Sequence, residues 1–179
     1  MAESKTTAAA EEQLRVSDED GARVDALDRS ASAMQREGEV VPSFFEGFAL
    51  QGIRVDAIHP GRILCSFTVP ARLTSSSTNR QQLAVGAVVA LVDEIGSAVS
   101  VSDGKQLKVS VDMSVALVDL AAAASGDTLR ITARTLGHKG FYSGTHVLIV
   151  NAATGQVVAE GRHSLFGKLK PPSIIKSNI

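Results

Sequence analysis

Hydrophobic positions change period along the chain, and each change predicts an element. Between residues 16 and 39, Val24, Leu27, Ala31 and Met34 recur at three- and four-residue spacing, which predicts an amphipathic helix. Pro42 punctuates, and Phe44, Phe45 and Phe48 predict a short helical turn. The period then drops to two. Ile53, Val55 and Ala57 alternate with polar neighbours, as do Ile63, Cys65, Phe67 and Val69, with His59-Pro60-Gly61 between the runs. That pattern predicts an antiparallel hairpin. Residues 74–82 read as a polar loop. Residues 83–102 are apolar on nearly every side, enough for about five helical turns, and Asp103-Gly104 ends them. Four more strands are predicted over 107–118, 128–136, 141–151 and 156–166. Gly137-His138-Lys139-Gly140 is expected as the turn between the second and third of these, and Ala153-Thr154-Gly155 between the last two. Residues 1–13, rich in Ala, Thr and Glu, predict disorder. No internal repeat is visible.

A helix that is apolar all round must be enclosed. One antiparallel sheet can wrap most of it, and a second subunit is the natural cover for the remaining side. A membrane span is excluded for this stretch, because Asp93 and Glu94 stand at its middle and each charge at a bilayer centre costs about 2.5–3.5 kcal/mol. With 179 residues the chain is long enough to bury a core without staples. It has one cysteine, Cys65, which excludes a disulfide framework and a Cys-rich zinc site. Aromatic residues are 4% and Trp is absent, which argues against stacking on single-stranded nucleic acid. His59 and His146 are not spaced with acids as metal ligands would be, so no metal is expected.

The net charge of −1 hides an asymmetry. Residues 1–40 hold five Lys/Arg and ten Asp/Glu, giving −5; residues 41–179 hold the remaining thirteen and nine, giving +4. A mildly basic body suits a phosphate-bearing small molecule rather than nucleic acid. The acidic N-terminus has no apolar core of a signal peptide. Ser177-Asn178-Ile179 loosely resembles a peroxisomal address, so cytoplasm or peroxisome is the expected location.

Asn79 in the loop, the long helix with Asp93, the segment Val109-Ser110-Val111-Asp112-Met113 and the run from Gly155 to His163 together resemble hotdog-fold acyl-CoA thioesterases of the acyl-CoA thioesterase 13-like (PaaI-type) branch. The resemblance covers residues 43–167. It implies an α+β hotdog fold, an antiparallel sheet wrapped around a long central helix, here with an acidic N-terminal helical extension. The implied organisation is an extension over 1–40, a hotdog domain over 41–170 and a tail over 171–179. Asn79, Gly86, Asp93 and Ser110 match the family's site residues. The family's His-Gly-Gly triplet reads Val85-Gly86-Ala87 here, so the usual histidine is missing. The family's Pro-Ala-basic segment is alanine-rich here, from Leu120 to Ala124. The resemblance places Gly137, His138, Lys139 and Gly140 near the nucleotide end of coenzyme A, and Arg162 and His163 near the ligand channel. The expected ligand is an acyl-CoA thioester as substrate, with no cofactor.

Thioester hydrolysis needs an activated water and a stabilised oxyanion. Asp93 supplies a carboxylate base; unpaired N–H groups at the helix start, near Gly86, supply oxyanion donors. Gly86 and Asp93 are seven residues apart, roughly 10 Å along a helix axis. One reacting carbon cannot reach both on one chain. The expected site is therefore composite, with Asn79 and Gly86 from one subunit and Asp93 and Ser110 from its partner, in a dimer or dimer of dimers. Two other readings stand beside it. One is a catalytically weak or inactive acyl-CoA-binding subunit of a hetero-oligomer, favoured by the missing histidine. The other is a hotdog hydratase, disfavoured because no histidine lies between residues 60 and 137.

Overall fold

The computed structural model describes Ala22 and residues 44–75, 81–106 and 108–167. The expected helix over 16–39 lies outside these apart from Ala22, which is helical. The chain divides into two units, 1–48 and 49–179. The elements in order are α1 (Phe44–Leu50), β1 (Ile53–His59), β2 (Arg62–Thr68), β3 (Thr74–Ser75), β4 (Gln82–Leu83), α2 (Val85–Val101), β5 (Val109–Leu117), β6 (Thr128–Lys139), β7 (Tyr142–Asn151) and β8 (Val157–Phe166). Single 3-10 turns occupy Ala71–Leu73 and Leu120–Ala122.

Six strands form one antiparallel sheet in the order β1-β2-β6-β7-β8-β5. Period-two patterning puts Ile63, Cys65, Phe67, Leu129, Ile131, Ala133, Val147, Ile149 and Leu165 on the face that meets α2, and all are buried. From the helix, Val88, Leu91, Val92, Ile95 and Val99 answer them. Burial of such side chains stabilises by about 1.5–3 kcal/mol each, which explains why a helix without a side-chain cap at Ala84 still forms. The α+β architecture expected from the sequence is the observed one.

Glycines set how closely the helix approaches β8. A Cβ on Gly161 would collide with Cγ1 of Val92, and one on Gly96 would stand 2.9 Å from Nδ1 of His163. With no side chain between them, α2 and β8 come together at Val92 and at His163.

Two expectations need correction. The loop over 74–82 contains a short ladder, Thr74–Ser75 against Gln82–Leu83; two residues are too few to carry a period. The turn expected at 137–140 is strand as far as Lys139. Gly137 pairs with Gly144 after a bulge between Thr135 and Gly137, and Lys139 pairs with Tyr142. The two-residue turn is Gly140-Phe141. Gly140 has φ +60, the left-handed value that a type II′ hairpin demands at its first central position.

Candidate active site

Asp93 lies midway along α2, on the side that the sheet leaves open. Gly86, Val89, Asp93 and Ser97 follow one another at spacings of three and four, and none of them is buried. Asp93 keeps 41% of its side chain exposed in a helix whose neighbours Leu91 and Val92 are fully buried. A charge in such a place is tolerated because part of it remains solvated and part is held by protein donors.

Two side chains from the sheet reach it. Ser110 on β5 donates its hydroxyl to Oδ1 of Asp93 at 2.8 Å. A bulge between Ser110 and Asp112 shifts the register against β8, pairing Ser110 with Leu165 and Asp112 with Ser164. The extra residue aims Ser110 at the helix, as bulges beside sites commonly do. His163 on β8 places Nε2 at 3.2 Å from the same Oδ1. That approach is off the line a hydrogen bond needs, and neither ring nitrogen has a hydrogen-bond partner among the described residues. The His163 side chain is 0% exposed. Burial lowers its pKa from the ordinary value, against the opposing pull of Asp93 and Asp112. The ring is therefore held neutral at pH 7. Both of these contacts go to Oδ1.

Gly86 sits in the first turn of α2, exposed, with open space where a Cβ would be. In the first turn the N–H of Ala87 bonds to the Ala84 carbonyl and that of Ala84 to the Leu73 carbonyl, which leaves the N–H groups of Val85 and Gly86 without a helical partner, and Ala84 supplies no side-chain cap. The structure thus brings Asp93 and Ser110 together and keeps Gly86 a helix-half away on the same face. Asn79 lies outside the described residues. His163 was not singled out as catalytic from the sequence. Its parity with Gly161 and Leu165, both buried on β8, is the signal that finds it.

The residues assigned to coenzyme A fall elsewhere. Arg162 is exposed, next to His163 in sequence and so on the opposite face of the sheet from Asp93. His138 turns inward: Nδ1 shares a 2.7 Å hydrogen bond with Ser143, and Nε2 lies 3.0 Å from Asp103. Gly137, Lys139 and Gly140 remain exposed around the hairpin. A cleft of about 660 Å³ lined by Asp127, Asn151 and Thr154 lies at the other end of these strands; Asp127 and Asn151 are engaged with each other and with backbone there. Cys65 is buried and its thiol is pushed up to about 11, first by burial and then by Asp56, so it is no nucleophile. Among the described residues no group of three His, Cys, Asp or Glu is placed to hold a metal, and no helix is long and apolar enough to cross a membrane.

No family model matches the chain. Over 106 residues it is 31% identical to acyl-coenzyme A thioesterase 13 of Homo sapiens, a stretch covering 59% of this chain and 72% of that one. The crystal structure of thioesterase superfamily member 2 from Mus musculus superposes with a TM-score of 0.62 at 25% identity, covering 69% of this chain and 88% of that one. A Streptococcus mutans protein solved bound to acetyl-CoA superposes with a TM-score of 0.58 at 22% identity, over 67% of this chain and 93% of that one, and so shares the fold.

Proposed function

The chain belongs to the hotdog-fold thioesterase superfamily, and from that premise we propose that it hydrolyses an acyl-CoA thioester to the free acid and coenzyme A in a site shared by two subunits. The observation that carries this reading is the half-exposed Asp93 carboxylate, which accepts from Ser110 at Oδ1 and has the buried His163 ring beside the same oxygen. Relatives named as acyl-CoA thioesterases and a fold relative solved with acetyl-CoA support the substrate class.

In this proposal a water bound at Oδ2 of Asp93 gives up a proton to the carboxylate as its oxygen adds to the thioester carbon. The carbonyl electrons move to oxygen, and the oxyanion is held by first-turn N–H groups near Gly86 of the second subunit, with Asn79 beside them. The C–S bond then breaks. Asp93 returns the proton to the departing sulfur, leaving a carboxylic acid and a thiol. Ser110 fixes the carboxylate and His163 backs it as a neutral positioning residue. The stripe Gly86, Val89, Asp93 and Ser97, which the sheet does not bury, is the surface the second subunit would cover. The phosphates of coenzyme A would lie against Lys139 at the β6–β7 hairpin. Arg162 is assigned no part in that contact.

The test is a panel of short, long and aromatic acyl-CoAs assayed with a thiol-reactive dye. The proposal expects turnover on at least one class that disappears in Asp93→Asn, with circular dichroism unchanged. Binding without turnover across the panel would make the protein an acyl-CoA binder instead.

A further inference from the structure

The sheet has a second face, turned away from α2, and of the residues proposed to meet substrate only Lys139, at its hairpin end, lies on it. Strand register lines up five basic side chains across it. His59 pairs with Arg62, Arg62 with Arg134, Arg134 with His146 and His146 with Arg162. At about 4.8 Å per strand the row spans roughly 19 Å. His59, Arg62, Arg134 and Arg162 are exposed. Counted over the whole face, Arg54, Arg62, Arg130, Arg134, Lys139 and Arg162 stand against Asp56, Asp112 and Glu160, six permanent cations to three acids. Glu160 lies 3.8 Å from His146, and Asp56 is taken by Arg54 and Ser66.

Toward the hairpin end, the same face turns apolar. Tyr142 pairs with Phe166, and Phe166 with Val109. Phe141 occupies the turn and meets Phe166 edge-on, ring centroids 6.3 Å apart. Phe141 and Phe166 are 48% and 50% exposed. The apolar row lies four residues, roughly 13 Å, from the basic row.

We propose that this face docks the protein on an anionic lipid surface, with Phe141 and Phe166 entering the headgroup–acyl boundary and Arg62, Arg134 and Arg162 meeting lipid phosphates. Charge complementarity selects this occupant. Basic side chains beside exposed aromatics are the pattern of interfacial binding. A second copy of the chain would set the same arginines against one another. A peptide added as a strand would run along the sheet edge, whereas the cations run across the strands. The proposal is independent of the thioesterase reading and its test does not measure turnover.

The experiment is flotation of the full chain with vesicles of phosphatidylcholine alone or with about a third phosphatidylserine. Binding is expected only to the anionic vesicles, and to fall as salt rises from about 0.1 M to 1 M. Arg134→Glu/Arg162→Glu should weaken it at least about tenfold, and Phe141→Ser should weaken it at low salt. Should the charge reversals fail to fold, Arg134→Gln/Arg162→Gln and the salt series of the unaltered chain carry the same test. No binding to anionic vesicles, or binding that these variants leave unchanged, would overturn the proposal. So would a change of sedimenting mass in the arginine variants, which would make the face a contact between copies.

Discussion

The fold contains two trios of the same three residue types, and they have opposite fates. Asp93, Ser110 and His163 gather at the middle of the long helix; Asp103, Ser143 and His138 gather just beyond its end. In each, a histidine Nε2 lies close to a carboxylate, 3.2 Å in the first and 3.0 Å in the second. Burial separates them. In the first trio the histidine is sealed in and the acid and hydroxyl are open to the surface. In the second the hydroxyl of Ser143 is buried and spends its hydrogen bond on His138. The same three residue types thus leave a half-exposed carboxylate accepting from a surface hydroxyl in the first trio, and form a latch in the second, where the buried Ser143–His138 bond at the β6–β7 hairpin has Asp103 of the helix end beside its outer ring nitrogen.

The largest expected effect strikes only the first trio. Asp93→Asn keeps the shape and removes the base, so kcat should fall by about 10³ or more, read by steady-state kinetics, with thermal stability held. A comparable loss of activity in Asp103→Asn would erase the distinction. The two serines then give a crossed pair. Ser110→Ala should lower kcat by roughly tenfold with little change in unfolding midpoint, since the hydroxyl lies at the surface. Ser143→Ala should leave kcat within about twofold and cost ~1–3 kcal/mol of stability, because it strands a histidine nitrogen. Kinetics and chemical denaturation on both variants check the pair.

Much of this was legible in the sequence, for identifiable reasons. Six strands and the long helix announce themselves because each buries one strong periodic face, as Ile63, Cys65 and Phe67 do. Asp93 is legible as a charge inside an apolar run, and Ser110 through its resemblance. The resemblance puts both Arg162 and His163 near the ligand channel, whereas strand parity turns only one of two neighbours toward the helix, and that one is His163. The hairpin tip was misplaced because glycines at 137 and 140 both signal a turn; only pairing across β6 and β7 distinguishes a bulge from a reversal. The latch was invisible, since Asp103 and Ser143 are forty residues apart and nothing local links them.

The smallest expected effect sharpens the difference in histidine environment. His163 has its folded-state pKa lowered by burial from the ordinary 6.5. Above pH 6.5 the neutral ring adds no penalty. As pH falls below that value the unfolded chain binds the proton first, so stability drops until the folded-state value is passed. The unaltered protein should lose stability on acidification through this window, and His163→Gln should show a shallower slope in thermal melts at matched pH.

The central claim is that two chains each supply half of one cleavage site. Mixing an Asn79→Ala chain with an Asp93→Asn chain, with subunit exchange verified, tests it most directly. Random pairing makes half the dimers mixed and restores one of their two sites, so activity should recover to about a quarter of the unaltered level. A mixture no more active than its two components would contradict the shared site.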